Sequence, residues 1–307
     1  MKDLASRIIK QDVIALAKAI TLIENNSVQS KELLIKLYPH RKSCHKIGIT
    51  GPPGAGKSTL VSQILKKYIK KGERIGVLCV DPSSPFNGGA ILGDRIRMQS
   101  VYSNKNIFIR SLATRGALGG LSNSISDLEI LFEAFGFDKI IYETVGVGQI
   151  ELDVTSYAEC VVMVVTPESG DDIQMMKAGL IECSDIIAIN KSDRSGSDKM
   201  KVVLNQVFEL NHDSWKTPIL KTVALKNEGI DNICSAIEDH RKYSDLKGLT
   251  AKKNTYKYLD SIKSIAKEYM FKEVFTDEVV DKIKKEMEKP LSARISPYQM
   301  FYEINKK

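Results

Sequence analysis

No window of this 307-residue sequence holds the roughly 18 uninterrupted apolar residues that a membrane span requires. The opening MKDLASRIIKQD also lacks the continuous apolar stretch of a secretory signal, so a cytoplasmic chain with no membrane partner is expected. Cysteine is sparse. Cys44, Cys79, Cys160, Cys183 and Cys234 are far apart and several sit inside apolar runs, which suits reduced thiols better than a disulfide framework. No CxxC pair occurs, so the sequence offers no evident zinc or redox motif. Internal repeats and low-complexity tracts are also missing. What is present is an ordinary balance of 43% hydrophobic and 27% charged residues, which excludes a mostly disordered chain. The length suits one large or two modest domains.

The net charge of +7 is concentrated late: residues 246–307 carry 14 Lys/Arg against 9 Asp/Glu. Such a stretch reads either as a nucleic-acid footprint or as the solvated face of amphipathic helices. The alternation of sign favours the second, and no nucleic-acid partner is expected.

Residues 4–37 have helical spacing, with Leu4, Ile8, Ile9, Val13, Leu16, Ala17 and Ile20 three or four apart and no proline between. From residue 46 the pattern changes. Short apolar runs at 46–50, 74–80, 107–112, 139–142, 160–166, 185–190 and 219–225 alternate with longer amphipathic stretches. Runs apolar on both faces are the mark of buried parallel strands, and their alternation with helices predicts a doubly wound α/β sheet. After residue 245 the strand signal stops. Residues 251–289 read as helix, Pro290 breaks it, and a short segment from Ser296-Pro297 closes the chain. The expected organisation is a helical extension over 1–40, a nucleotide-binding domain over 41–245 and a second helical extension over 246–307.

The segment GPPGAGKS at 51–58 fits G-x-x-x-x-G-K-[ST] at every fixed position, with a strand before it and a helix after it. Gly51, Pro52, Pro53, Gly54, Ala55 and Gly56 would wrap phosphates, whose charge meets free N–H groups and the positive helix end. Lys57 would reach the terminal phosphates, the Ser58 hydroxyl would ligate Mg2+, and Thr59 opens the helix beside them.

Asn190-Lys191-Ser192-Asp193 follows the run 185–190. An NKxD motif one strand after a phosphate loop reads guanine. The Asp193 carboxylate would accept from the ring N–H and the exocyclic amine, and adenine, lacking both donors, would leave a buried carboxylate unpaired. Asn190 would tie this loop to the phosphate loop and the Lys191 stem would lie against the base. Backbone N–H groups of Ala224 and Leu225, with Ala224 best placed, would meet the guanine carbonyl.

Three acids fall where mobile switch elements belong. Asp81 ends the run 74–80, Asp94 follows a glycine-rich stretch, and Glu143 ends the run 139–142 and opens ETVG. Carboxylates at the ends of adjacent parallel strands point into the ligand crevice, where they can hold Mg2+ directly or through water. Gly146 can bring a backbone N–H to the γ-phosphate. The catalytic set expected from the residues is Lys57, Asp94 and Glu143; the metal set is Ser58, Asp81, Asp94 and Glu143.

GPPGAGKST, CVDPSSPFNGGAILGDRIRM, YETVGVGQIELDV, PESGDDIQMMKAGLIECSDIIAINKSD and ALAKAITLIEN together resemble the MeaB/ArgK-type GTPases, from about residue 10 to the closing ISPYQMFYEI. The resemblance implies a P-loop GTPase domain flanked by helical extensions, a homodimer with the C-terminal extension as dimerisation arm, and GTP/GDP with Mg2+ as ligands. It also implies a chaperone role, gating cofactor loading into an adenosylcobalamin-dependent acyl-CoA mutase, above all methylmalonyl-CoA mutase, and protecting that enzyme. By motif, Arg97 would lie on the first mobile segment, and Asp171, Gln174 and Lys177 on a segment that transmits nucleotide state. Ile150 departs from the small or polar residue more usual there. An older name of the family points to amino-acid transport ATPases, and NKSD argues against ATP.

Two rivals remain at this point. Nickel-inserting GTPases share the phosphate loop and the ExxG element but need soft or imidazole ligands near the switches. Cys44-His45 reads as a linker dipeptide, and His40, His212 and His240 are expected to have no partnered cysteine nearby. An RNA- or ribosome-targeting GTPase lacks support from interleaved aromatic and basic residues. No arginine finger is evident, and Gln149 is a candidate either for positioning water or for packing at a dimer interface. Slow intrinsic turnover, increased by a partner, is expected.

Overall fold

A computed structural model of the chain describes residues 2–82, 104–114, 120–144, 150–170, 181–209 and 215–305. The chain divides into two compact units, Met1–Ala251 and Lys252–Lys307. Among the described residues, no helix is long and apolar enough to cross a membrane.

The first unit opens with α1 (Lys2–Ile9), α2 (Val13–Glu24) and α3 (Val28–Leu37). The spacing predicts one helical stretch over 4–37, and two polar residues cut it into three. The Asp12 carboxylate accepts from the N–H groups of Ile14 (2.9 Å) and Ala15 (3.1 Å), and the Ser27 hydroxyl accepts from that of Ser30 at 3.2 Å. Each cap satisfies orphan donors of a new first turn, so a fresh start costs little.

The strands are β1 (His45–Thr50), β2 (Ile75–Pro82), β3 (Ile107–Thr114), β4 (Lys139–Thr144), β5 (Cys160–Val165), β6 (Ile186–Ile189) and β7 (Ile219–Lys221). They form one all-parallel sheet in the order β3-β2-β4-β1-β5-β6-β7. Between them run α4 (Lys57–Lys70), α5 (Gly120–Phe135), α6 (Ile150–Tyr157) and α7 (Ser197–Glu209), and α8 (Ile230–Leu246) follows β7. Successive strand residues face opposite sides, as the two-residue period requires. Leu78, Val80, Ile140 and Tyr142 join a cluster with α1, α2, α3 and α5. Ile47, Ile49, Val77, Cys79, Ile141, Val162 and Val164 join another with α4 and α8. The N-terminal helices therefore share a core with the sheet. β7 is shorter than its apolar run. After Thr222 the chain pairs Val223 with Glu228 around a 3-10 turn at Ala224–Lys226, closed by Asn227 at φ +59°.

The edge where the strands begin is laced with buried charge. Lys46 reaches Glu133 at 2.7 Å and Glu159 at 3.5 Å, and Arg41 meets Glu133 at 2.5 Å. Burial works to lower the Lys46 pKa, and the carboxylates of Glu129, Glu159 and Glu133 outweigh it, so the ammonium is held charged beyond its ordinary range. At the same edge His240 stands beside Cys160 and Asp185, which corrects the expectation that no cysteine accompanies it.

The second unit holds most of α9 (Leu249–Val274), then α10 (Asp277–Met287) and α11 (Pro297–Ile304). Thr276 caps α10, interrupting the helix expected over 251–289. Ser296 and Gln299 form a reciprocal capping box at α11, where the sequence places its short final segment. Unlike the sheet, α9 buries none of its residues, and Tyr256, Tyr258, Tyr269 and Phe271 are exposed.

Candidate functional site

β1 is fully buried and delivers the chain to Gly51 in the middle of the sheet, between β4 and β5. Gly51 has φ +136°, and a Cβ there would lie 2.0 Å from the Val164 carbonyl oxygen, so no side chain fits so close to β5. Gly56, at φ +88°, is the left-handed residue before α4; a Cβ on it would meet Asn190 Nδ2 at 2.4 Å. α4 then starts at Lys57 with Ser58 and Thr59 in its first turn, giving the loop unsatisfied N–H groups and the positive end of a 14-residue helix. Ala55 is buried, Pro53 and Gly54 are exposed, and Pro52 and Ser58 are half-buried. The buried Lys57 ammonium lies over the loop, donating to the carbonyls of Gly51 (2.5 Å) and Pro52 (3.0 Å).

Asn190 joins the pieces. Its backbone N–H donates to Val165 and its side-chain Nδ2 to the Ala55 carbonyl, both at 2.8 Å. Its Oδ1 accepts from the Ala224 N–H at 3.0 Å and the Thr222 hydroxyl at 3.3 Å. One side chain, 3% exposed, thus fastens the phosphate loop to the turn after β7. The sequence reading gives the Ala224 N–H to a guanine carbonyl; in the structure that donor is held by Asn190, because the 3-10 turn brings it back over β6. Thr222 was not singled out by sequence, since a threonine in an apolar run carries no distinguishing signal. Lys191 follows at φ +55°, and Ser192 N–H ties its loop to the Thr222 carbonyl at 3.1 Å. Asp193 lies 3.3 Å from Lys226 Nζ, both partly exposed, so a cation already faces the carboxylate that the sequence assigns to the base.

On the other side of β1, Glu143 is 3% exposed and in register with Ile49 and with Cys79. The Cys79 thiol donates to its carboxylate at 4.0 Å, and the hydroxyls of Thr50 and Thr144 are 3.4 Å apart. Asp81 lies in β2, one residue from its end and paired with Ala113. Asp94, Arg97, Gly146, Gln149, Asp171, Gln174 and Lys177 fall outside the described residues.

The donor chemistry suits a nucleoside triphosphate with a hard divalent cation. The loop offers N–H groups, an ammonium and a helix N-terminus to anions. A serine hydroxyl and a buried carboxylate across β1 are oxygen donors of the kind Mg2+ prefers.

The fold has a solved counterpart. A LAO/AO transport system kinase superimposes with a TM-score of 0.72 at 24% identity, covering 99% of this chain and 95% of that one. Among curated proteins, a relative from Pyrococcus abyssi is 44% identical over 268 residues, 86% of this chain and 83% of its own length. The GTPase ArgK of Escherichia coli is 34% identical over 277 residues (87% and 84%). The mitochondrial methylmalonic aciduria type A homolog of Mus musculus is 31% identical over 271 residues (81% and 65%). The model of the methylmalonyl Co-A mutase-associated GTPase MeaB family matches residues 16–279. With a glycine-bounded phosphate loop fastened by Asn190 to a guanine-type motif, and with that match across most of its length, this chain belongs to the MeaB family and is a P-loop GTPase.

Proposed function

We propose that this GTPase is a chaperone of an adenosylcobalamin-dependent acyl-CoA mutase, methylmalonyl-CoA mutase first among them, and that its GTP cycle gates cofactor loading and protects the mutase. The observation that carries the reading is the match to a mutase-associated family over residues 16–279.

The residues divide the work. The loop 51–56 binds the phosphates through N–H groups, and Lys57 leaves the Gly51 and Pro52 carbonyls for the β- and γ-phosphate oxygens. Asp193 accepts from the guanine N–H groups, giving up Lys226, and Lys191 covers the base. With the Ala224 amide committed to Asn190, the Leu225 amide is the donor for the guanine carbonyl. Ser58, Asp81, Asp94 and Glu143 would hold Mg2+, which supplies charge neutralisation at the phosphates when bound. Glu143 and Asp94 orient the attacking water, and Gly146 meets the γ-phosphate. Asp171, Gln174 and Lys177 transmit the nucleotide state to the mutase.

A homodimer in the cytoplasm completes the proposal, with the second unit as the dimerisation arm. The exposed aromatics of α9 support it, since a helix that buries nothing on its own chain gains by covering them.

The test is GTP turnover with and without purified adenosylcobalamin-dependent mutase from the same organism. Stimulated hydrolysis and a complex whose affinity depends on the nucleotide are expected, and by linkage the mutase must shift nucleotide affinity by the same factor. No complex in any nucleotide state defeats the chaperone reading and leaves the GTPase standing.

A further inference from the structure

At the sheet edge opposite the phosphate loop, three side chains from three elements converge. Cys160 begins β5, Asp185 precedes β6 and His240 comes from the second half of α8. One ligand atom from each, a sulfur, a carboxylate oxygen and an imidazole nitrogen, lie within 4.8 Å of one another. Cys160 and His240 are buried, while Asp185 is 29% exposed and gives the cluster a way out to solvent.

The cluster is held from outside. The second oxygen of Asp185 accepts the Val161 N–H at 2.8 Å, and the Asp185 carbonyl accepts the Trp215 indole N–H at 2.9 Å. The Trp215 ring stands edge-on to His240 with centroids 5.0 Å apart, walling the imidazole. Within it, His240 Nε2 lies 3.1 Å from Asp185 Oδ1. Neighbouring ligand atoms around a tetrahedral zinc ion with bonds of about 2.0–2.2 Å are separated by about 3.3 Å, so an ion can take the place of the proton between them. Without an ion the Asp185 carboxylate favours a proton on Nε2. When an ion takes that place the ring proton sits on Nδ1, which is buried with no hydrogen-bond partner among the described residues.

We propose that Cys160, Asp185 and His240 form a binding site for a borderline-soft divalent transition ion, Zn2+ first, with water as the fourth ligand. The set of one thiolate, one imidazole and one carboxylate excludes Mg2+ and Ca2+, which take oxygen. The site is therefore chemically separate from the Mg2+ site at the phosphate loop. Binding displaces the thiol proton to solvent, since the thiolate is the ligand. The ion would clamp α8 to the starts of β5 and β6, far from the nucleotide.

The test uses the full, untagged chain freed of metal and titrated with Zn2+, and separately with Co2+ as a spectroscopic probe. One Zn2+ per chain is expected, with a thiolate-to-cobalt charge-transfer absorption on Co2+ binding and a rise in Tm with Zn2+. Cys160→Ser should abolish the charge-transfer absorption. His240→Gln and Asp185→Asn should each weaken Zn2+ binding at least about tenfold, a loss of the size that disturbing a metal site brings. Cys183→Ser, which removes the exposed thiol, should change nothing. Because the buried Cys160 and His240 variants could misfold, Asp185→Asn, at a partly exposed position, serves as the decisive variant. Absence of stoichiometric binding to the parent, full binding to Asp185→Asn, or loss of the absorption in Cys183→Ser each overturns the proposal.

Discussion

The two edges of the one parallel sheet use polar groups in opposite ways. Where the strands end, polar side chains are spent on loops: Asn190 fastens two of them, Lys57 folds over one of the two, and Glu143 stands buried beside them. Where the strands begin, Lys46, Glu133, Glu159 and Arg41 are spent on one another. The first edge is arranged to accept a highly charged ligand; the second must be complete without one. Buried charge thus reads as function when its partners are neutral groups such as loop carbonyls or a thiol, and as architecture when the partners are opposite charges on packed elements.

The largest test of that contrast is Glu133→Ala. It leaves Lys46 and Arg41 short of their common partner, and breaking a buried ion pair costs about 3–5 kcal/mol. Urea unfolding should show that loss, while GTP turnover per folded molecule stays near the parent value. A large fall in turnover by correctly folded protein would erase the division between the edges.

At the other edge Asp193→Asn should leave stability nearly unchanged and weaken GTP by about 100-fold or more, because the amide presents a donor where guanine also donates. Xanthine nucleotide should bind the variant better than the parent. Competition binding with GTP, ATP and xanthosine triphosphate reads this directly, and equal ATP and GTP affinity in the parent would remove Asp193 from the base site.

The smallest effect is a pH dependence at the strand-start edge. His45 is 1% exposed and its pKa is lowered to about 3, first by burial and then by the positive charges of Arg241 and Lys139. In the unfolded chain it titrates near 6.5. Between those values protons favour the unfolded chain, so stability falls as the pH is lowered, by about 1.4 kcal/mol per pH unit from this group. Unfolding free energies at pH 7.5 and 5.5 should differ less in His45→Gln than in the parent. Equal slopes would mean His45 is charged in the fold.

The loops were legible because their chemistry is local. GPPGAGKS and NKSD each fit within eight residues, and the apolar runs that carry them fall on β1 and β6. The helix breaks at Asp12, Ser27 and Thr276 were less so. A capping residue competes with continuation of the helix by only about 1 kcal/mol, which periodicity does not register. Asp81 and Glu143 were legible as strand-end acids, whereas the thiol of Cys79 beside Glu143 was not, since it depends on β2 lying next to β4.

The sequence by itself determined the α/β class, the phosphate loop, the guanine-type motif and the family, since each rests on short spacings or on residues that follow one another. The tertiary structure alone decided that the Ala224 amide belongs to Asn190, that Glu133 serves both Lys46 and Arg41, and that Cys160, Asp185 and His240 meet. These partners stand tens of residues apart. They are brought together by the register of parallel strands and the seating of helices, which thousands of weak apolar contacts fix collectively and no short segment encodes.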